Sequence, residues 1–177
     1  MKKTLFLWQL SGFIFTSLAG VLLHFLYEWT NQSPLVAPFS AINESIWEHM
    51  KLLYVPMFLF ALIERQFVGK VQENYWCVKL IGILLGLSLI PMLYYIYTGI
   101  FGKSFDWLNI IIFFLSALAS YLLEFYLFVY AKPSCRHPLL ALFVICIIGF
   151  FFVILTYIPP QLPLFEAFLM DIHPNIH

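Results

Sequence analysis

Five long apolar runs constrain this chain more than any other feature of its sequence. A helix needs about 20 apolar residues to cross the ~30 Å hydrocarbon core of a bilayer. Runs of this kind cover residues 5–27, 44–63, 80–101, 107–131 and 139–158. They predict an all-α polytopic membrane protein with five transmembrane helices.

The composition agrees with this class. Hydrophobic residues make up 63% of the 177 residues and charged residues only 10%, against ~45–50% and ~25% in soluble domains. The formal net charge is zero, so nothing indicates nucleic-acid binding. We expect residues 1–177 to form a single integral domain of the cytoplasmic membrane, with the lipid bilayer as partner and the first run retained rather than cleaved as a signal peptide.

The lysines and arginines predict the orientation, because cytoplasmic loops carry an excess of them. With the N-terminus inside, only Lys51 and Lys103 lie outside, and seven basic residues lie on the cytoplasmic side. We therefore expect the N-terminus in, the C-terminus out and an interfacial tail over residues 159–177. Cys77, Cys135 and Cys146 show no C-x-x-C spacing and are expected to be unpaired apolar fillers.

The second run begins with an unusual set of charges. Its charge-free part, residues 52–63, covers only about 18 Å at ~1.5 Å per residue, which is too short to cross a membrane. The helix is therefore expected to extend back to about residue 44. On such a helix Glu44, Glu48 and Lys51 share one face, and His49 lies on the adjacent face.

The first run offers similar groups at a similar depth, because His24 and Glu28 are spaced i, i+4 near its outer boundary. Costly polar groups on neighbouring helices indicate a functional site. We expect an outward-facing binding cluster of His24, Glu28, Asn43, Glu44, Glu48 and His49, with Asp106 and the tail at its rim.

Structural explanations compete with this hypothesis. Ser45 and Glu48 match the S-x-x-E capping box, and Asn43 is an alternative N-cap. Lys51 can pair with Glu48 at i, i+3 or extend to the interface. On helix four, Glu124 is expected to form a salt bridge near the cytoplasmic side rather than to join the cluster.

The motif N-E-S-I-W-E-H at residues 43–49 resembles an uncharacterised family of small bacterial multi-pass proteins. Two further elements of that family match here, Y-T-G-x-x-G at residues 97–102 and T-x-x-P-P-x-x-P-L-F at residues 156–165. The resemblance covers nearly the whole chain and implies the fold. The family has no established activity that would carry over.

A fainter likeness concerns the membrane zinc hydrolases that include alkaline ceramidases. Ser45-x-x-x-His49 and His173-x-x-x-His177 resemble the S-x-x-x-H and H-x-x-x-H pairs of those proteins. The resemblance implies a metal held by three histidines, here His49 and the tail histidines. If zinc is bound, His49 is expected to be one ligand and His24 or a tail histidine such as His173 another.

Three functions remain open. The first is binding of a small molecule, cation or lipid headgroup at the outward cluster. The second is zinc-dependent hydrolysis of a lipid, with Glu48, His49 and Glu28 as catalytic candidates and either glutamate as third ligand or general base. The third is a purely structural or accessory role.

Overall fold

The computed structural model describes residues 2–166, which fold into helices without any strand. The helices are α1 Lys2–Trp29, α2 Ile46–Arg65, α3 Tyr75–Phe101, α4 Asp106–Tyr126 and α5 Pro138–Tyr157, and a π-helical turn, Leu127–Ala131, continues α4. All five are long and apolar enough to cross a membrane. The predicted all-α fold with five such helices is confirmed over this range.

Local sequence signals set several helix ends. Ser45 is the N-cap of α2, and its hydroxyl accepts a hydrogen bond from the Glu48 amide at 3.3 Å. Gly102 ends α3 in the left-handed conformation at φ 71°, which glycine adopts without steric cost. Pro138 occupies the start of α5. An amide hydrogen at this position would have no acceptor within the helix, so proline, which has none, fits there.

Small residues let the helices approach closely. Helix α1 packs on α2 and α4, and α3 packs on α2, α4 and α5. A Cβ added at Gly82 would clash with the side chain of Glu124, and one at Gly86 would clash with Ser120 and Leu53. These contacts agree with the expected packing role of small residues in membrane helices.

The outer surface of the bundle is apolar. Leu18, Ile100, Leu139 and Phe150 are each more than half exposed. Contiguous apolar surface of this kind marks a membrane or protein contact. Together with the helix lengths, it is the surface expected of a bundle in lipid.

Two cysteines correct the expectation that all three are unpaired. Cys77, in the first turn of α3, forms a disulfide with Cys135, in the loop before α5, with their Cα atoms 6.0 Å apart. Only Cys146 is free. The pairing joins residues 58 positions apart, so it depends on helix contacts that the spacing does not reveal. We call this the disulfide end of the bundle, and the opposite end, where His24 and His49 lie, the histidine end.

The segment after α5 returns to the start of α2. The Trp47 amide donates a hydrogen bond to the Leu164 carbonyl at 3.0 Å, and the Trp47 ring stacks on Phe165 with centroids 4.6 Å apart. The segment therefore borders the histidine end. His173 and His177 lie outside the described residues.

Candidate functional site

Two histidines and one glutamate meet at the histidine end. His24 Nε2 lies 3.4 Å from Glu44 Oε1, and His49 Nε2 lies 3.7 Å from Glu44 Oε2. One potential ligand atom from each side chain falls within 4.8 Å of the others. We call these three residues the His24–Glu44–His49 cluster.

Glu44 reaches this cluster because α2 begins later than predicted. Ser45 caps the helix and Ile46 is its first residue, so Glu44 belongs to the preceding loop. The expectation that Glu44 shares a helical face with Glu48 and Lys51 is therefore wrong. The helix begins only after the capping residue Ser45, so the backbone of Glu44 is not helical. The Glu44 carboxylate points towards the two histidines instead.

The His49 ring is oriented by its own helix. His49 Nδ1 lies 2.8 Å from the Ser45 carbonyl oxygen, one turn earlier. A carbonyl only accepts, so Nδ1 carries the hydrogen in this contact. A backbone carbonyl on the second nitrogen is the usual support of a metal-binding imidazole.

The donor set of the His24–Glu44–His49 cluster fits zinc. Two imidazoles and one carboxylate are the three protein ligands of a common type of catalytic zinc site, which keeps its fourth position open. The side chains of His24, Glu44 and His49 are 28%, 49% and 15% exposed. A cation arriving from the aqueous side can therefore reach all three.

Glu48 and Lys51 form a separate pair beneath the cluster. Lys51 Nζ lies 2.6 Å from Glu48 Oε2, and both side chains are almost fully buried. The ammonium also donates to the Ala37 carbonyl at 2.8 Å and to the Thr156 hydroxyl at 3.0 Å. Ile42 N donates to the same Glu48 oxygen at 3.0 Å. This pair ties the loop before α2 and the end of α5 to α2, and it has equal positive and negative charge.

The other predicted site residues lie around the cluster rather than in it. Glu28 is exposed one turn beyond His24 on α1. Asn43 is exposed, and its side-chain oxygen accepts from the Ser45 amide at 2.9 Å. Asp106 is exposed in the first turn of α4. His173 is outside the described residues.

An apolar groove leads from the cluster to the apolar outer surface of the bundle. It has a volume of about 320 Å³, and His24 and His49 line one part of it. Val21, Phe25 and Ile110, which line another part, are exposed on the outside of α1 and α4. The groove therefore opens sideways, towards the region that lipid tails would occupy.

A second charged cluster lies at the disulfide end. Lys79 pairs with both Glu64 and Glu124, and the three side chains are 2%, 0% and 0% exposed. We call it the Glu64–Lys79–Glu124 triad. The expected salt bridge of Glu124 is present, but Glu64 and Lys79 appear in the sequence to be loop charges. They lie within helices instead, because α2 runs to Arg65 and α3 begins at Tyr75. The positions of these two helix ends are therefore the signal that would have identified both residues.

The fold and the site define a class, that of all-α proteins with five helices long and apolar enough to cross a membrane and a histidine–carboxylate cluster at one end of the bundle. The chain belongs to a family of unknown function, DUF6512, whose model matches residues 2–171. This agrees with the inferred resemblance to an uncharacterised family. No curated protein and no solved structure matches the chain.

Proposed function

We propose that this protein binds a divalent transition-metal ion, zinc by preference, at the His24–Glu44–His49 cluster. The observation that carries the proposal is the convergence of one ligand atom from each side chain within 4.8 Å. The orientation of His49 by the Ser45 carbonyl supports it.

The ligand types favour zinc over the hard cations. Calcium and magnesium prefer sites built from oxygen ligands alone. Imidazole nitrogen suits zinc, copper, iron and nickel, and a set of two histidines and one carboxylate occurs in catalytic zinc sites and in non-haem iron sites. With three protein ligands the ion would keep one position for water or for a ligand from outside.

The proposed orientation places this site outside the cell. Lys51 and Lys79 lie inside helices and in ion pairs, so neither contributes to the loop charge. Of the remaining basic residues, only Lys103 lies at the histidine end, and six lie at the disulfide end. This asymmetry favours a cytoplasmic disulfide end. The Cys77–Cys135 bond favours the reverse, because disulfides persist in oxidising compartments.

Zinc titration of the purified protein tests the proposal. The protein is prepared without a metal-affinity step and titrated against a competing zinc dye. We expect one bound zinc per chain in the wild type. The substitutions His24→Ala, His49→Ala and Glu44→Gln should each weaken binding by at least about 100-fold, since loss of an outer-shell partner alone costs about 10–100-fold.

Matched controls come from the same chain. His137→Ala removes an exposed histidine at the start of α5, and Glu166→Gln removes an exposed acid near the histidine end. Both variants should bind zinc like the wild type. Equal affinity in His49→Ala and the wild type would refute the proposed metal site.

The apolar groove favours a second candidate, hydrolysis of a lipid at the same site. A lipid whose tail lay along Val21 and Ile110 would present its polar linkage near His24 and His49. When bound, zinc would polarise a carbonyl of that linkage and activate water. Glu48 is held by Lys51, so its carboxylate is already committed to an ion pair.

Mass spectrometry of vesicles distinguishes binding from hydrolysis. The protein is reconstituted with ester-linked and amide-linked lipids, with zinc or with a chelator. Hydrolysis predicts fatty acid release that depends on zinc and is lost in His49→Ala. Zinc binding without fatty acid release supports the binding function and removes the hydrolase candidate.

A further inference from the structure

The Glu64–Lys79–Glu124 triad contains one more acid than base. Its two carboxylates and single ammonium are almost completely buried. An uncompensated charge is expensive in such surroundings, so buried charges are normally paired or neutralised. The triad with both carboxylates ionised would leave one negative charge unpaired.

The ammonium is well placed to keep its charge. Lys79 Nζ lies 5.6 Å from the ring centroid of Tyr75, 5.5 Å from that of Tyr121 and 6.0 Å from that of Phe128. Aromatic faces attract a cation at these distances. The ammonium therefore keeps its proton, and the excess negative charge of the triad can be removed only by protonation of one of the two acids.

The two carboxylates differ in their remaining partners. Glu64 Oε1 accepts a hydrogen bond from Gln9 Nε2 at 2.8 Å, and Glu64 Oε2 accepts from the Tyr75 hydroxyl at 3.2 Å. Glu124 Oε2 faces Lys79. Glu124 Oε1 is buried and has no hydrogen-bond partner among the described residues. It lies in the space that the missing side chain of Gly82 leaves open.

Glu124 Oε1 lacks a hydrogen-bond donor among the described residues. An ionised carboxylate only accepts hydrogen bonds, whereas a protonated one carries an O–H donor. One proton would therefore supply a donor and also remove the excess negative charge.

The groups facing the triad from neighbouring helices do not balance it. On the α1 side, the Thr16 hydroxyl lies 2.7 Å from the Tyr121 hydroxyl. The Arg65 guanidinium lies 6.0 Å from the Tyr75 ring centroid. Neither Arg65 nor any other cation within residues 2–166, apart from Lys79, forms an ion pair with the two acids.

We infer that the Glu64–Lys79–Glu124 triad is a proton-binding site that holds one exchangeable proton at neutral pH, on Glu124 Oε1. The site is distinct from the proposed zinc site and lies at the other end of the bundle. Glu64 is the residue before the last of α2, so the disulfide end is the nearer end of the bundle for exchange of this proton.

The Glu48–Lys51 pair provides an internal comparison. It is as deeply buried as the triad, but it has one acid for one base. Charge balance predicts no bound proton there. If burial alone caused proton binding, both sites would hold a proton. A comparison of the two sites therefore distinguishes an effect of charge imbalance from an effect of burial.

Infrared spectroscopy of the whole protein tests the inference, because a protonated carboxyl has a C=O stretching band that a carboxylate lacks. We expect this band in the wild type at neutral pH, with a shift to lower frequency after transfer to D₂O. Glu124→Gln should lose it. Glu64→Gln should also lose it, because one acid then remains for one base. Glu48→Gln should keep it.

Three results would overturn the inference. The first is absence of the band from the wild type, whether the cation of the buffer is sodium or choline. The second is a band that persists in Glu64→Gln, since a balanced pair needs no proton. The third is a band that does not shift in D₂O, since the proton would then not exchange. Circular dichroism of each variant establishes that the helices are intact before the spectra are compared.

Discussion

Replacing Lys79 by methionine tests the account of the Glu64–Lys79–Glu124 triad. Methionine keeps a long unbranched side chain but has no charge. The substitution leaves Glu64 and Glu124 facing each other with no cation between them. Removing one partner of a buried ion pair costs about 3–5 kcal/mol, because the remaining charge stays buried without compensation. We expect Lys79→Met to lower the free energy of unfolding by that amount.

Two further variants make the reasoning specific. In the triple variant Lys79→Met/Glu64→Gln/Glu124→Gln no charge remains, so most of the lost stability should return, as when whole buried ion networks are replaced by neutral residues. Lys70→Met removes an exposed lysine of the α2–α3 loop. It should change the free energy of unfolding by no more than about 0.5 kcal/mol.

Unfolding in mixed micelles by titration with SDS, followed by circular dichroism, measures these free energies. The deficit of Lys79→Met should shrink as the pH is lowered, because protonation neutralises the carboxylate that is still ionised. The reasoning is refuted if Lys79→Met is as stable as the wild type to within about 1 kcal/mol, or if the triple variant is no more stable than the single one.

Three other predictions concern the metal site, the orientation and the helix packing. Histidine binds metal as the neutral imidazole, so zinc affinity should fall as the pH is lowered and protons compete with zinc for the two imidazoles; a pH-independent affinity would exclude histidine ligands. In a variant with Cys146 replaced by serine, and after reduction of the Cys77–Cys135 disulfide, both cysteines should react in intact cells with a membrane-permeant maleimide and not with an impermeant one. Labelling by the impermeant reagent would reverse the proposed orientation. Gly82→Ala should destabilise the bundle by about 1–3 kcal/mol because its Cβ would clash with Glu124, whereas Gly99→Ala, with nothing within 4 Å of the new Cβ, should not; equal stabilities would contradict the close packing at Gly82.

The helices were predictable from the sequence because their signal is local. A bilayer fixes the length of an apolar run, so the five predicted spans agree with the observed helices to within a few residues at most ends. The largest difference is at α3, which begins at Tyr75 rather than near residue 80. Its fifth residue is Lys79, whose charge suggests a loop until its partners are known.

The contents of the two charged clusters were less predictable because they depend on contacts between helices. His24 and His49 were expected to meet, since the short loop between α1 and α2 brings the facing ends together. The role of Glu44 depends on where Ser45 caps α2. The pairing of Lys79 with Glu64 and Glu124 depends on the packing of three helices, which hydrophobic periodicity does not specify.

X-ray absorption spectroscopy at the zinc edge identifies the ligands of the proposed zinc site, because it reports which atoms surround the metal. The purified protein is loaded with one equivalent of zinc, and the spectrum is compared with that of His49→Ala. The account predicts two imidazole ligands at the usual Zn–N distance of about 2.0–2.1 Å with oxygen completing the shell, and one imidazole fewer in His49→Ala. A shell of oxygen atoms alone, or an identical spectrum in the variant, would contradict it.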